Sequence, residues 1–340
     1  MLGLGVALAV WAATAAVAPA QTPAQAPRVI DRNAPSAVTL TPAAPSDDGQ
    51  SNVVETLEVI ARPQGPALWV VTKGAAQVTV IGGYAPLPHS LDWNSVRVDR
   101  ALQGADGFYE AKPSINPLEL AAIFFNPGAF QLGGGRKLDQ VIGPVRRKRL
   151  GRIAAIAHAD TGRMQPYKPA VAGLFAYQTF LRAAGLSPEK PGTTIRRLAK
   201  THTVPERTLA KIGAASMIRS IQRMDEAAQL ACFDGALDQI EWESGHAVAA
   251  AKAWSEGRLS ALRAESSHAI LNRCLTEGGA PRAILEKAIA DSTASLEDLL
   301  KKPGKSVALI DLTVLLPRNG VLDRLKAGGA TINLPLDGAP

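Results

Sequence analysis

Strand-forming sequence lies at both ends of the foldable part of this chain, with a long helical stretch between, and that arrangement limits the folds open to it. Toward the N-terminal side, Leu68-Trp69-Val70-Val71 and Val78-Thr79-Val80-Ile81 are short β-branched runs separated by Lys73-Gly74-Ala75-Ala76, the pattern of a β-hairpin. Residues 106–111 read as a third strand, carrying Glu110 near its end. From about 117 to 302 the spacing of Ala, Leu and Ile is helical, with segments at 117–125, 168–184, 205–223, 226–245, 247–256 and 259–276. Sheet character returns only at 306–315, after Pro303-Gly304, followed by a short helix around 321–327 and a last strand near 331–334. The economical solution is one α/β domain of mixed α+β character. Its central sheet draws strands from both chain ends around a large helical block. No fixed-period repeat is present.

Of the 340 residues 46% are hydrophobic and 20% charged, enough apolar material for one large domain or two small ones and too much for a disordered chain. Two cysteines exclude a disulfide-dense scaffold and any four-cysteine zinc or iron–sulfur site. Residues 2–18 carry no charge, and Ala18-Pro19-Ala20 offers the small-x-small pattern of signal-peptidase cleavage. The expectation is export to the periplasm or beyond, with a signal peptide at 1–20 cleaved after Ala20. An uncleaved anchor is the alternative. No Lys or Arg precedes the apolar run, which points to a start upstream of Met1. Residues 21–52, rich in Pro, Ala, Ser and Thr, read as a disordered tether, and the domain is expected over 53–337. In an oxidising space Cys232 and Cys274, on different predicted helices, are expected to pair; the alternative is two buried free thiols.

The two ends also carry a resemblance. Pro66-Ala67-Leu68-Trp69, the hairpin, and then Gly82-Gly83-Tyr84-Ala85-Pro86-Leu87-Pro88 with Leu91-Asp92-Trp93 resemble the opening of the TraB/GumN family, which is related to the Tiki metalloproteases. Phe108-Tyr109-Glu110, Lys168-Pro169, Trp254-Ser255-Glu256-Gly257 and the stretch 307–325 are similar to later landmarks, so the likeness spans about 67–334. The resemblance implies a site of two Gly-x-x-His motifs and a glutamate holding a water-activating divalent metal. Here Gly82 opens the first motif but Ala85 stands at its histidine position, and Thr313 stands at the second, in Ile310-Asp311-Leu312-Thr313. The family's Arg-Asn pair has no counterpart between Glu286 and Lys302. Glu110 alone remains of the implied set, as a vestige.

Methyl groups offer a metal no lone pair, so no metal cofactor is expected unless ligands have moved. His89, four residues after Ala85, and Asp311, which shares a face with Thr313 if the segment is a regular strand, are the candidates to join Glu110. Asp311 equally suits a strand-end role capping backbone amides. His158, His202, His246 and His268 occur singly and read as surface or helix-end residues.

A net charge of +7 favours anionic surroundings, and Arg146, Arg147, Lys148, Arg149 and Arg152 form the densest basic cluster. In an exported chain such a cluster meets acidic polysaccharide or an anionic membrane surface before any nucleic acid, so no nucleic-acid partner is expected. Its plain alternative is a solvated helix face. The expected function is therefore a catalytically inactive, exported homologue acting as a binding or scaffolding module in the cell envelope, its partner an unknown protein or an envelope polymer. The alternatives are a metal-dependent, peptidase-like hydrolase with relocated ligands and a polyanion binder working through the basic cluster.

Overall fold

The computed structural model describes residues 65–114, 127–268, 270, 273–274 and 280–333. The expected signal peptide, the tether and the helix at 117–125 lie outside the described residues.

The hairpin forms as its sequence predicts. Strands β1 (Leu68–Lys73) and β2 (Ala76–Gly83) pair antiparallel from Leu68↔Ile81 to Lys73↔Ala76. Gly74 turns the chain at φ +57°, a conformation that costs residues with a Cβ. A two-residue strand β3 (Leu87–Pro88) follows, and helix α1 (Val96–Leu102) leads into β4 (Gly107–Ser114). Helices α2 (Leu138–Val141), α3 (Gly143–Ile156) and α4 (Pro169–Ala183) open the helical block. Strand β5 (Leu186–Ser187) pairs with β3, and helix α5 (Gly192–Thr201) follows.

The sequence-based reading of 205–223 as one helix is overturned. The segment splits into strand β6 (Glu206–Gly213) and helix α6 (Ala214–Arg223). Strand β6 runs parallel to β4 at the sheet edge, where Glu206, Arg207 and Thr208 are exposed. An edge strand facing water carries charge, which hides the alternation used to recognise strands.

The next correction joins two predicted helices into one. Helix α7 (Glu226–Ser255) runs 30 residues straight through Gly245, which lies on its exposed side with nothing within 4 Å of a Cβ. A lone helical glycine costs about 1 kcal/mol and does not stop a helix whose other face is packed. Helices α8 (Leu259–Glu265) and α9 (Ala280–Leu299) precede β7 (Gly304–Asp311). This strand ends at Asp311, short of the expected 315, because Leu312–Leu315 turns into helix α10. Helix α11 (Val321–Ala327) and β8 (Thr331–Asn333) complete the described chain.

The strands form one mixed sheet in the order β6-β4-β7-β2-β1-β8, with β7 inserted parallel to both β2 and β4. Strands from the two ends of the domain are thus neighbours, as the sequence required. Alternate residues point to opposite faces. Val307, Phe108 and Ile81 pack with Val98 and Leu102 of α1 and Ile195 of α5. Ala308, Ile310, Trp69 and Val80 pack with Leu296 of α9 and Leu325 of α11. In the helical block α4 crosses α7 so closely that a Cβ on Gly173 would lie 3.0 Å from the Ala236 Cβ and 3.1 Å from the Phe233 Cα. The expected disulfide is present: Cys232 of α7 and Cys274 are bonded, with Cα atoms 4.5 Å apart. No described helix is long and apolar enough to cross a membrane.

Candidate functional site

The parallel strands β2 and β7 end side by side, with Gly82 opposite Ile310 and Gly83 opposite Asp311. Position 82 has no room for a side chain, since a Cβ there would meet Leu312 Cδ2 at 2.7 Å and Trp69 Cζ3 at 2.9 Å. The Trp254 indole donates to the Gly82 carbonyl at 2.8 Å, fixing where β2 ends. Beyond the two strand ends lies a cavity of about 460 Å³. Tyr84 and Ala85 line it from the exit of β2, and Asp311, Leu312 and Thr313 from the exit of β7. Leu259, Leu262, Arg263, Ser266 and His268 supply the facing wall, with Leu285, Leu316 and Pro317. A crevice at the carboxyl ends of parallel strands is where open α/β sheets hold ligands.

Ala85 and Thr313, the two positions where the family resemblance implies histidines, therefore face one cavity although 228 residues separate them. Asp311 takes the capping role: its Oδ1 accepts the Thr313 N–H at 2.8 Å and the Thr313 hydroxyl at 2.6 Å. The turn into α10 places Asp311 and Thr313 on a cap rather than on one face of a strand, which corrects the strand-based expectation. His268, read from sequence as a surface or helix-end residue, lines the cavity half-buried, and burial pushes its pKa down while Asp311 opposes that shift.

Glu110 is buried in the middle of β4, which runs on to Ser114 beyond the expected end at 111, and it is not among the cavity-lining residues. Its two oxygens lie 3.0 and 2.9 Å from Arg196 Nη1 on α5. Burial pushes the Glu110 carboxyl up and a hydrogen bond with Glu206 adds to this, while Arg196 pulls it down. Lys112, 2.7 Å from Glu206, holds that partner low. His89 sits exposed after β3, and its backbone bonds to Gly185 and Lys190. Glu110, His89 and Asp311 are not gathered into one cluster, and among the described residues no three His, Cys, Asp or Glu side chains are placed to hold a metal ion. The residues present do not fit the divalent metal that the resemblance implies: a methyl group and a hydroxyl stand at the imidazole positions, and both Glu110 oxygens face a guanidinium.

A buried polar group that sequence reasoning missed lies near Tyr84. The Glu243 Oε1 accepts the Tyr177 hydroxyl at 2.9 Å and Gln239 Nε2 at 2.5 Å, and that same nitrogen also donates to the Ser267 carbonyl at 2.8 Å. Glu243 Oε2 and Gln239 Oε1 are buried with no hydrogen-bond partner. Burial pushes the Glu243 carboxyl up to about 7, against the two hydrogen bonds. Burial also raises Tyr84 to about 12; a bond with Ser266 opposes this, and the negative charges of Glu243 and Asp311 add to it. The signal was available in the sequence: Glu243 falls three residues after Ile240 and four before Ala247, on the apolar stripe of α7.

The basic cluster lies on α3 against an acidic stripe of α7. Arg146 Nε and Nη2 meet the two oxygens of Asp234 at 2.8 and 2.7 Å. Arg149 reaches Asp238 at 2.6 Å and Glu241 at 2.8 Å, and Arg152 lies 3.5 Å from Glu241. Arg147 donates to the Asp139 carbonyl, and Lys148 is exposed. The arginines that read as a free basic patch are thus largely paired within the fold. Of the remaining histidines, His202 binds Asp99 at 2.7 Å and His246 stacks on Trp242 with ring centroids 3.9 Å apart.

Fold and cavity together define a mixed α/β domain with a ligand-sized crevice at the carboxyl ends of its parallel strands. A sequence model of the TraB/PrgY/gumN family matches residues 67–334, and the chain belongs to that family. No curated protein and no solved structure matches it.

Proposed function

We propose that this member of the TraB/PrgY/gumN family is an exported, catalytically inactive binding module of the cell envelope, which keeps the fold and the crevice but not metal chemistry. One observation carries the reading: Ala85 and Thr313 face one cavity at the strand ends while Glu110 is bound to Arg196. A site so arranged offers shape and hydrogen bonds, not a Lewis acid. The disulfide suits the oxidising space to which the uncharged N-terminal stretch directs the chain.

The double variant Ala85→His/Thr313→His tests it. Two imidazoles directed into one cavity are expected to confer zinc binding in the micromolar range by calorimetry where the parent has none. A parent that already binds one zinc per chain, or a variant that folds and gains nothing, contradicts the reading.

A further inference from the structure

We infer that the cavity at the ends of β2 and β7 is a site for a small aliphatic amine, with its ammonium group at Asp311 and its hydrocarbon body against the leucine wall. The inference rests on the cavity being a binding site without metal, and it names the ligand class. About 460 Å³ lies within the range of small-molecule sites, roughly 300–1,000 Å³. Leu259, Leu262, Leu285, Leu312 and Leu316 line it, a surface that rewards an aliphatic body and offers it nothing polar.

The head group is chosen by charge. Among the described residues the hydrogen bonds to Asp311, from the Thr313 N–H and hydroxyl, both go to Oδ1, and Asp311 lines the cavity. Glu243 is 4% exposed, its bonded partners are the neutral Tyr177 and Gln239, and its Oε2 has none. The fields of Asp311 and Glu243 both reach Tyr84, which lines the cavity. Of the basic groups of the lining, Arg263 is exposed, so water screens it, and burial pushes the His268 imidazole down, toward its neutral form. A carboxylate entering the cavity meets the like charge of Asp311 with little compensation, and above about pH 7 that of Glu243 as well. An ammonium meets the Asp311 carboxylate, and the Tyr84 and Ser266 hydroxyls, already bonded to each other and with Ser266 donating to the Leu262 carbonyl, keep oxygen lone pairs that accept from its remaining donors.

Hexylammonium, hexanoate and hexanol, titrated separately into the intact protein and followed by calorimetry, form the test. Hexylammonium is expected to bind one per chain at least about tenfold more tightly than the other two. Asp311→Asn, which keeps a side chain able to cap α10, is expected to weaken it about tenfold with an unchanged melting temperature. Lys148→Ala, on the exposed face of α3 and outside the cavity lining, is expected to leave it within about twofold. Hexanoate binding as well as hexylammonium, Asp311→Asn binding like the parent, or no binding of any probe overturns the inference. Zinc calorimetry on the same sample separates the two failures: no zinc and no amine binding leaves the metal-free reading standing and removes only this one.

Discussion

Replacing Glu243 by glutamine is expected to stabilise the protein above neutral pH and to do little in acid. The carboxyl lies among buried groups with one oxygen unpartnered, and burial raises it to about 7 from the ordinary 4.5. Below about pH 4.5 the group is protonated in both the folded and the unfolded chain, so it adds no pH-dependent term there. Between about 4.5 and 7 the unfolded chain releases the proton and the folded chain retains it, so folding stability falls as pH rises. Above about 7 the loss is complete, and the difference between the two values corresponds to about 3 kcal/mol. Glutamine retains an acceptor for Tyr177 and Gln239 and places a neutral donor where Oε2 has no partner. Urea unfolding of the oxidised protein, followed by circular dichroism at pH 4.5 and pH 8.5, measures the effect as variant minus parent, which cancels the other titrating groups. The expected result is a gain of up to about 3 kcal/mol at the higher pH and within about 1 kcal/mol of zero at the lower. Equal destabilisation at both values would show that the side chain is ionised and well solvated in the fold, and the reasoning would be wrong.

Other expectations follow from packing and pairing. Changing both Cys232 and Cys274 to alanine removes a cross-link between positions 42 apart and should cost about 4 kcal/mol in the chain-entropy model, read as a lower urea midpoint; an unchanged midpoint refutes it. Arg149→Ala leaves Asp238 and Glu241 without their shared guanidinium and should lower stability by about 1–2 kcal/mol, an effect that shrinks in high salt. If Arg149 instead serves an external polyanion, the variant loses heparin retention at unchanged stability. Gly82→Ala drives a methyl into Leu312 and Trp69 and should destabilise by about 1–3 kcal/mol in thermal melts; a neutral result would mean that the strand end yields more freely than its contacts imply.

What could be read in the sequence follows from how each element is stabilised. The hairpin and β7 carry buried β-branched runs, so β-propensity and burial agree and their existence was legible. Strand β6 was not, because Glu206, Arg207 and Lys211 on the sheet edge face water and local pattern there says helix. Asp311 was legible as a cap and illegible as the end of its strand, since the turn into α10 depends on where β2 stops. The meeting of Ala85 and Thr313 in one cavity was reachable only through the resemblance, for no periodicity links residues so far apart. Glu243 went unnoticed because a glutamate within a long helix resembles a solvated residue until its place on the apolar stripe is counted. The arginines of α3 misled for the converse reason: a basic run shows its charge, while the carboxylates that neutralise it lie some 90 residues away.

The proposed function requires a crevice that works without a metal. Elemental analysis of the protein expressed from Gln21, after dialysis against a zinc, manganese and cobalt mixture followed by metal-free buffer, tests it most directly. Metal at background is expected for the parent and for Glu110→Ala alike. One equivalent retained by the parent and lost in Glu110→Ala would contradict it and place Glu110, despite its bond to Arg196, in a working metal site.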